Sequence, residues 1–229
     1  MSAKIDGREM PASDEEPMPD GLSSPVEVPV AGEGRSVTVR LRPDVPMQMF
    51  TCIPAVSAIG ACRSLRDAGV DGASIAWPAN ISLDGESLVR ISAHAGYEEG
   101  MFADVELTWL PEEGEILLNR AQDVSVASLD WEGLAPALSD AVRRACDEWA
   151  SGLRRARVVA GPLAPLLDDY FGLLEIANQP VEVVYPNGRL AARGVLCGMD
   201  VWGRASVRTA SGKVLDISPE QASIRAARR

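Results

Sequence analysis

Apolar and polar residues alternate along Val26, Val28 and Val30, and again along Val37, Val39 and Leu41, where Thr38, Arg40 and Arg42 take the other face. With Gly32 and Gly34 between them, these runs predict strand, turn, strand. The period then changes to about three: Ile53, Val56, Ile59 and Cys62 recur on one face. Pro54 fits a first helical turn and Gly69 sits where a helix would end after Ala68. This segment is expected to be a buried helix packed on a sheet. Asp71-Gly72 leads into a short extended run at Ala73 to Ala76, and Asp84-Gly85 is a hairpin signal joining Ile81, Ser82 and Leu83 to the run Leu88 to Ala93. Val105, Leu107 and Trp109 alternate with Asp104, Glu106 and Thr108, so the sheet should have one apolar and one polar face.

Helical spacing returns at Leu134, Leu138, Val142, Ala145, Trp149 and Leu153, with Arg143, Arg144, Asp147 and Glu148 on the outer face. A second helix is expected to start at Pro162 and to present Leu163, Leu166, Leu167, Tyr170, Phe171 and Leu174. Beyond Asn178, five short extended runs are divided by Asn187-Gly188, Trp202-Gly203, Ser211-Gly212 and Pro219-Glu220, the pattern of a small β-barrel or meander. The fold class is therefore α+β: a mixed or antiparallel sheet packed on helices, followed by a small barrel. Residues 1–24 have no apolar period and are expected to be a disordered acidic tail; 25–177 form the larger layer and 178–229 the barrel. The link into the barrel is short and stiffened by Pro180. The barrel is therefore expected to dock on the larger domain, with Trp202, Tyr170 and Phe171 as the contacts.

Charge narrows the function classes. The 229 residues carry 33 acidic and 22 basic side chains, a net charge of −11, which repels phosphate backbones and anionic membrane surfaces. Neither nucleic acid nor membrane is an expected partner. Cys52, Cys62, Cys146 and Cys197 are far apart and show no C-x-x-C spacing, so they read as buried thiols in a reducing, cytoplasmic setting. The start Met-Ser-Ala-Lys-Ile-Asp lacks the apolar core of a signal peptide. With His94 as the single histidine, no metal site is expected; His94 reads as an ordinary strand residue.

Pro180-Val181-Glu182-Val183, Gly194, Gly198-Met199-Asp200, Gly203, Val207, Gly212, Ile217 and Ser223-Ile224-Arg225 together resemble the small SH3-like barrel that closes biotin protein ligases. Upstream, Ala76-Trp77-Pro78-Ala79-Asn80-Ile81 followed by Asp84-Gly85-Glu86 is similar to that family's K-W-P-N-D strand ending and hairpin. Arg42-Pro43-Asp44-Val45-Pro46 resembles its strand ending in R-P-D before a long helix. The resemblance spans residues 36–229 and implies a biotin/lipoate ligase fold, class II synthetase-like, without its amino-terminal part. It also implies biotin and ATP with Mg2+ as cofactors, biotinyl-adenylate as the intermediate, and a lysine of a biotin carrier protein domain as the acceptor.

The chain departs from the family where positive charge is needed to hold phosphates. Ala76 stands at the lysine before W-P, and Ser87-Leu88-Val89-Arg90-Ile91 replaces a lysine strand. Ala31-Gly32-Glu33-Gly34-Arg35 reads either as the glycine-arginine loop with one arginine replaced by Glu33 or as a stretch beyond a deleted loop. The family-equivalent ligand positions are Trp77, Asn80, Ser87 and Arg90, and no catalytic residue is assigned. Each has another reading: Trp77 as core, Asn80 as a turn holder, Arg90 on a solvated face. Trp202 would touch either a carrier domain or the neighbouring domain. Three functions stay open: a pseudoenzyme that binds a ligand, a carrier domain or another ligase chain; an active biotin–protein ligase; and a structural subunit whose exposed sheet edge is covered by a homodimer partner or another chain.

Overall fold

A computed structural model describes residues 35–111, 131–156 and 160–227. The chain divides into Met1–Ala31 and Gly32–Arg229, and all described residues belong to the second unit. The expected acidic tail and the expected strand at Val26 to Val30 lie outside the described residues.

The first sheet contains β1 (Ser36–Leu41), β2 (Ala73–Ala76), β3 (Asn80–Leu83), β4 (Glu86–Tyr97) and β5 (Met101–Trp109) in the order β1-β5-β4-β3-β2, antiparallel throughout. Three hairpins build β2 to β5. Asp84 and Gly85 both take positive φ in the first tight turn of β4, as the Asp-Gly signal requires. β1 closes on β5 in register from Ser36↔Thr108 to Leu41↔Ala103. Alternation then sorts the side chains: Val37, Leu107 and Ile91 form one row on the core side and Val39, Val105 and Ala93 the next, Val37 and Ala93 being only partly buried, while Thr38, Glu106 and Ser92 point the other way.

Two helices cover the apolar face. A 3-10 turn at Met47–Cys52 leads into α1 (Ile53–Asp67), which has Pro54 in its first turn and ends before Gly69 at φ 91°. Beside it runs α2 (Trp131–Arg155), which buries Leu134, Leu138, Val142, Trp149 and Leu153. The helices cross where Gly60 has no side chain: a Cβ there would lie 2.7 Å from the Ala141 carbonyl and 2.9 Å from the Ala145 methyl. Placed between the sheet and α2, α1 is buried on most sides, which is why Ala55, Ala58 and Ala61 fill positions its three-residue stripe leaves out.

The helix expected from Pro162 is shorter than its apolar spacing suggests. A 3-10 turn at Ala164–Leu166 precedes α3 (Leu167–Leu173). Pro165 has no amide to offer a helix, and the Leu163 amide donates instead to the Val201 carbonyl at 2.9 Å.

The second sheet contains β6 (Pro180–Val184), β7 (Leu190–Met199), β8 (Ala205–Thr209), β9 (Val214–Ile217) and β10 (Ser223–Ala226) in the order β10-β6-β7-β8-β9. Its apolar filling is Val181, Val183, Leu196, Ala205, Val207 and Ile224. β7 and β8 approach closely at Gly194, where a Cβ would collide with the Arg208 carbonyl.

The two sheets are joined by backbone as much as by side chains. Trp77 Nε1 donates to the Gly203 carbonyl at 3.2 Å, and the Leu163 amide donates to the Val201 carbonyl at 2.9 Å. Tyr170, fully buried, donates through its hydroxyl to the Pro78 carbonyl. The expectation that Trp202 supplies the dock is corrected: its side chain is 47% exposed, and its neighbours Val201 and Gly203 make the contacts. The turn is pinned by Asp200, whose Oδ1 accepts from the Trp202 and Arg204 amides, so the backbone faces inward and the indole outward. Phe171 is half-buried against the core. Cys52, Cys62 and Cys146 are buried as expected, whereas Cys197, with its thiol directed at the Ser206 carbonyl, is half-buried.

Candidate functional site

The polar face of the first sheet is where alternation gathers charged and hydroxyl side chains. Pairing sets Arg40, Asp104 and His94 in one row, Thr38, Glu106 and Ser92 in the next, and Ser36, Thr108 and Arg90 in a third. The first row is internally neutralised. Arg40 forks onto both oxygens of Asp104 at 2.8 Å each and reaches Glu98 at 2.7 Å; its guanidinium lies 4.2 Å over the Phe102 ring. That ring occupies the space above Gly96 that any side chain there would need. Hydrogen bonding from Arg40 holds the Asp104 carboxyl below its ordinary range.

The far edge is also satisfied. Ser82, buried, donates to Glu175 at 2.7 Å and lies 3.1 Å from the Ser74 hydroxyl. Asn80 accepts the Ile91 amide through Oδ1 at 3.0 Å, tying β3 to β4 across the irregular register between Ile81 and Ser82.

Between these ends stands Arg90. Its side chain is exposed on β4 opposite Thr108, and among the described residues it has neither a hydrogen bond nor an ion pair. Of the other sequence-predicted ligand positions, Asn80 is committed to the backbone amide of Ile91, the residue after Arg90. Ser87 lies exposed at the start of β4, opposite Ser82, three residues before Arg90. Trp77 is withdrawn: it is 7% exposed and its one polar atom is committed to Gly203. Sequence reasoning missed Glu175, which seals the Ser82 edge from 93 residues away, and the Arg40–Asp104 fork; the first needs the tertiary placement of the turn after α3 and the second the register of β1 on β5, neither of which a linear pattern carries.

An α+β layer of helices on an antiparallel sheet, joined to a five-stranded β unit, defines a biotin protein ligase-like fold, and the structural comparisons agree. The chain matches the apo structure of biotin protein ligase from Aquifex aeolicus with a TM-score of 0.60 and 12% identity, over 84% of this chain and 82% of that one. The structure of the Aquifex aeolicus enzyme in complex with biotin and ATP matches with the same score and identity, over 84% and 78%. No family sequence profile matches the chain, and no curated protein sequence does.

The described residues do not fit a nucleotide triphosphate with its Mg2+. The chain has two lysines, Lys4 and Lys213: the first lies outside the described residues and the second follows β8 in the other sheet. Arg40 and Arg42 are held by Asp104 and Glu98. Among the described residues no group of three or more histidine, cysteine or acidic side chains converges as a metal site. No helix among them is long and apolar enough to cross a membrane.

Proposed function

We propose that this protein is a biotin ligase-like pseudoenzyme, which keeps the ligase fold and works by binding through the polar face of its first sheet. The occupant is a small carboxylate ligand of the biotin type, or a biotin carrier domain that offers a surface carboxylate of its own; another ligase chain is the competing partner. The observation that carries this reading is Arg90. Among the described residues it is an unpaired guanidinium, on a face whose other described arginines, Arg40 and Arg42, are engaged by Asp104 and Glu98. A lone guanidinium with Thr108 opposite it on the neighbouring strand suits one carboxylate, whereas adenylation requires several fixed cations around a polyphosphate. Ala76 and Ser87, where the family places lysines, supply none.

Two assays test the reading. Purified protein incubated with biotin, ATP, Mg2+ and a carrier domain is expected to leave the carrier unlabelled on an avidin blot; ATP-dependent label would overturn the reading. Calorimetric titration with biotin and with the biotinylated carrier domain is expected to show binding by one of them that Arg90→Ala removes. Binding by neither, or binding indifferent to Arg90→Ala, would also overturn it.

A further inference from the structure

The second sheet ends on β9, whose strand neighbour among the described residues is β8 alone. The Thr209 amide donates to the Lys213 carbonyl at 2.9 Å, which makes that pair a hydrogen-bonded one. Antiparallel pairs alternate, so Arg208↔Val214 and Ser206↔Asp216 are the non-bonded pairs. The backbone N–H and C=O groups of Val214 and Asp216 therefore point away from β8. Beside them lies a cavity of about 630 Å³, lined on one side by Val214 to Ile217 and on the other by Val183, Tyr185, Ala192 and Ala222. Consecutive strand residues point to opposite faces. A cavity touching all four must run along the edge of β9. Tyr185 and Val214 are both more than two-fifths exposed in it.

The stretch of sequence that carries this edge is opposite in charge to the rest of the chain. Residues 178–229 carry eight basic and four acidic side chains, whereas 1–177 carry 14 and 29. The Glu182 carboxylate is taken by Arg193 and Arg225, and Asp216 accepts the Ser206 hydroxyl at 2.7 Å. Arg208 and Lys213, flanking Val214, have no carboxylate partner among the described residues.

We infer that β9 is a docking edge for an extended acidic segment of a partner protein, with apolar residues at every second position. Such a segment adds a sixth strand by bonding the outward groups of Val214 and Asp216. One side-chain set enters the cavity against Tyr185 and Ile217, and the carboxylates between them meet Arg208 on the other face. A second copy of β9 would set the flanking cations against themselves. A nucleic acid has the charge but lacks both the strand hydrogen bonds and the alternating apolar groups. The inference is independent of the ligand reading of the first sheet.

The test uses the full chain and a fluorescein-labelled octapeptide alternating valine with glutamate, followed by anisotropy. Saturable binding is expected. It should weaken about tenfold when lysine replaces glutamate in the peptide, when alternate peptide amides are N-methylated, and in an Arg208→Glu variant whose unfolding midpoint is unchanged. Absence of saturable binding, or binding insensitive to N-methylation and to Arg208→Glu, overturns the inference. A dimer that Val214→Lys converts to monomer would assign the edge to a second copy. Displacement of the peptide by single-stranded oligothymidine through Arg208 would assign it to nucleic acid. Either result overturns it as well.

Discussion

The indole N–H of Trp77 donates to the carbonyl of Gly203 across 126 residues of sequence, joining the turn between β2 and β3 to the turn between β7 and β8. A residue that resembles a ligand-pocket tryptophan thus serves as a bracket between the two sheets. Replacing Trp77 by alanine should lower stability by about 3–5 kcal/mol, the range for removing a large packed aromatic. Trp202→Ala, one residue from the acceptor but exposed, should stay within about 0.5 kcal/mol of the parent. Urea unfolding midpoints of the two variants check the contrast.

Gly60 and Gly172 both lie in helices, yet they should respond to alanine with opposite signs. At Gly60 the added methyl meets the Ala141 carbonyl and the Ala145 side chain, so overpacking of about 1–3 kcal/mol outweighs the gain in helix propensity. At Gly172 nothing lies within 4 Å, and alanine should stabilise by a few tenths to about 1 kcal/mol. Thermal melts of the two single variants would show it; a stabilised Gly60→Ala protein would contradict the helix crossing described above.

Glu182 makes a pH prediction. Its carboxyl is held below its ordinary range first by hydrogen bonds from Arg193 and then by those from Arg225. A depressed folded-state value means the stabilisation is complete above the unfolded carboxylate range and is lost as pH falls through the folded value. Glu182→Gln should therefore lower the unfolding midpoint at neutral pH, and the gap between variant and parent should close below about pH 4. A gap constant down to pH 2 would show that the bracket contributes through packing rather than charge.

The thiols should divide by burial. Burial pushes Cys52 up to about 11 and Cys146 up to about 12, and raises Cys62 as well. All three should therefore resist alkylation of the native protein at pH 8. Cys197, half-buried, should be the first to react. Mass spectrometry after brief iodoacetamide treatment would identify it, and full labelling at all four cysteines would require urea.

Much of the architecture was legible because local chemistry and tertiary packing agree. Asp84-Gly85, Asn187-Gly188 and Ser211-Gly212 mark turns whose glycines take positive φ, and the alternation of β1 and β5 sorts the two faces of the first sheet correctly. The Leu134 to Leu153 stripe reads as a helix because one side of α2 is buried. Where tertiary demands compete with local ones, the linear pattern misleads. The apolar residues after Pro162 are spaced like a helix, but the Leu163 amide is taken by Val201. Trp202 is large and apolar, but Asp200 turns its backbone inward. At the candidate site, Asn80, Ser87 and Arg90 could be picked out by position. That Arg90 has no partner among the described residues while Arg40 is doubly engaged depends on which residues the register sets opposite one another.

The closure of β1 on β5 also bears on how the protein is made. Val37, Val39 and Leu41 leave the site of synthesis before Ala103, Val105 and Leu107 exist, with the whole of α1 and three strands between them. Contacts this distant in sequence form late, and an unpaired apolar strand waiting for its neighbour is open to any other nascent chain. Shortened chains ending before Met101 should consequently be insoluble in the cell, whereas chains that include β5 give β1 its intramolecular partner.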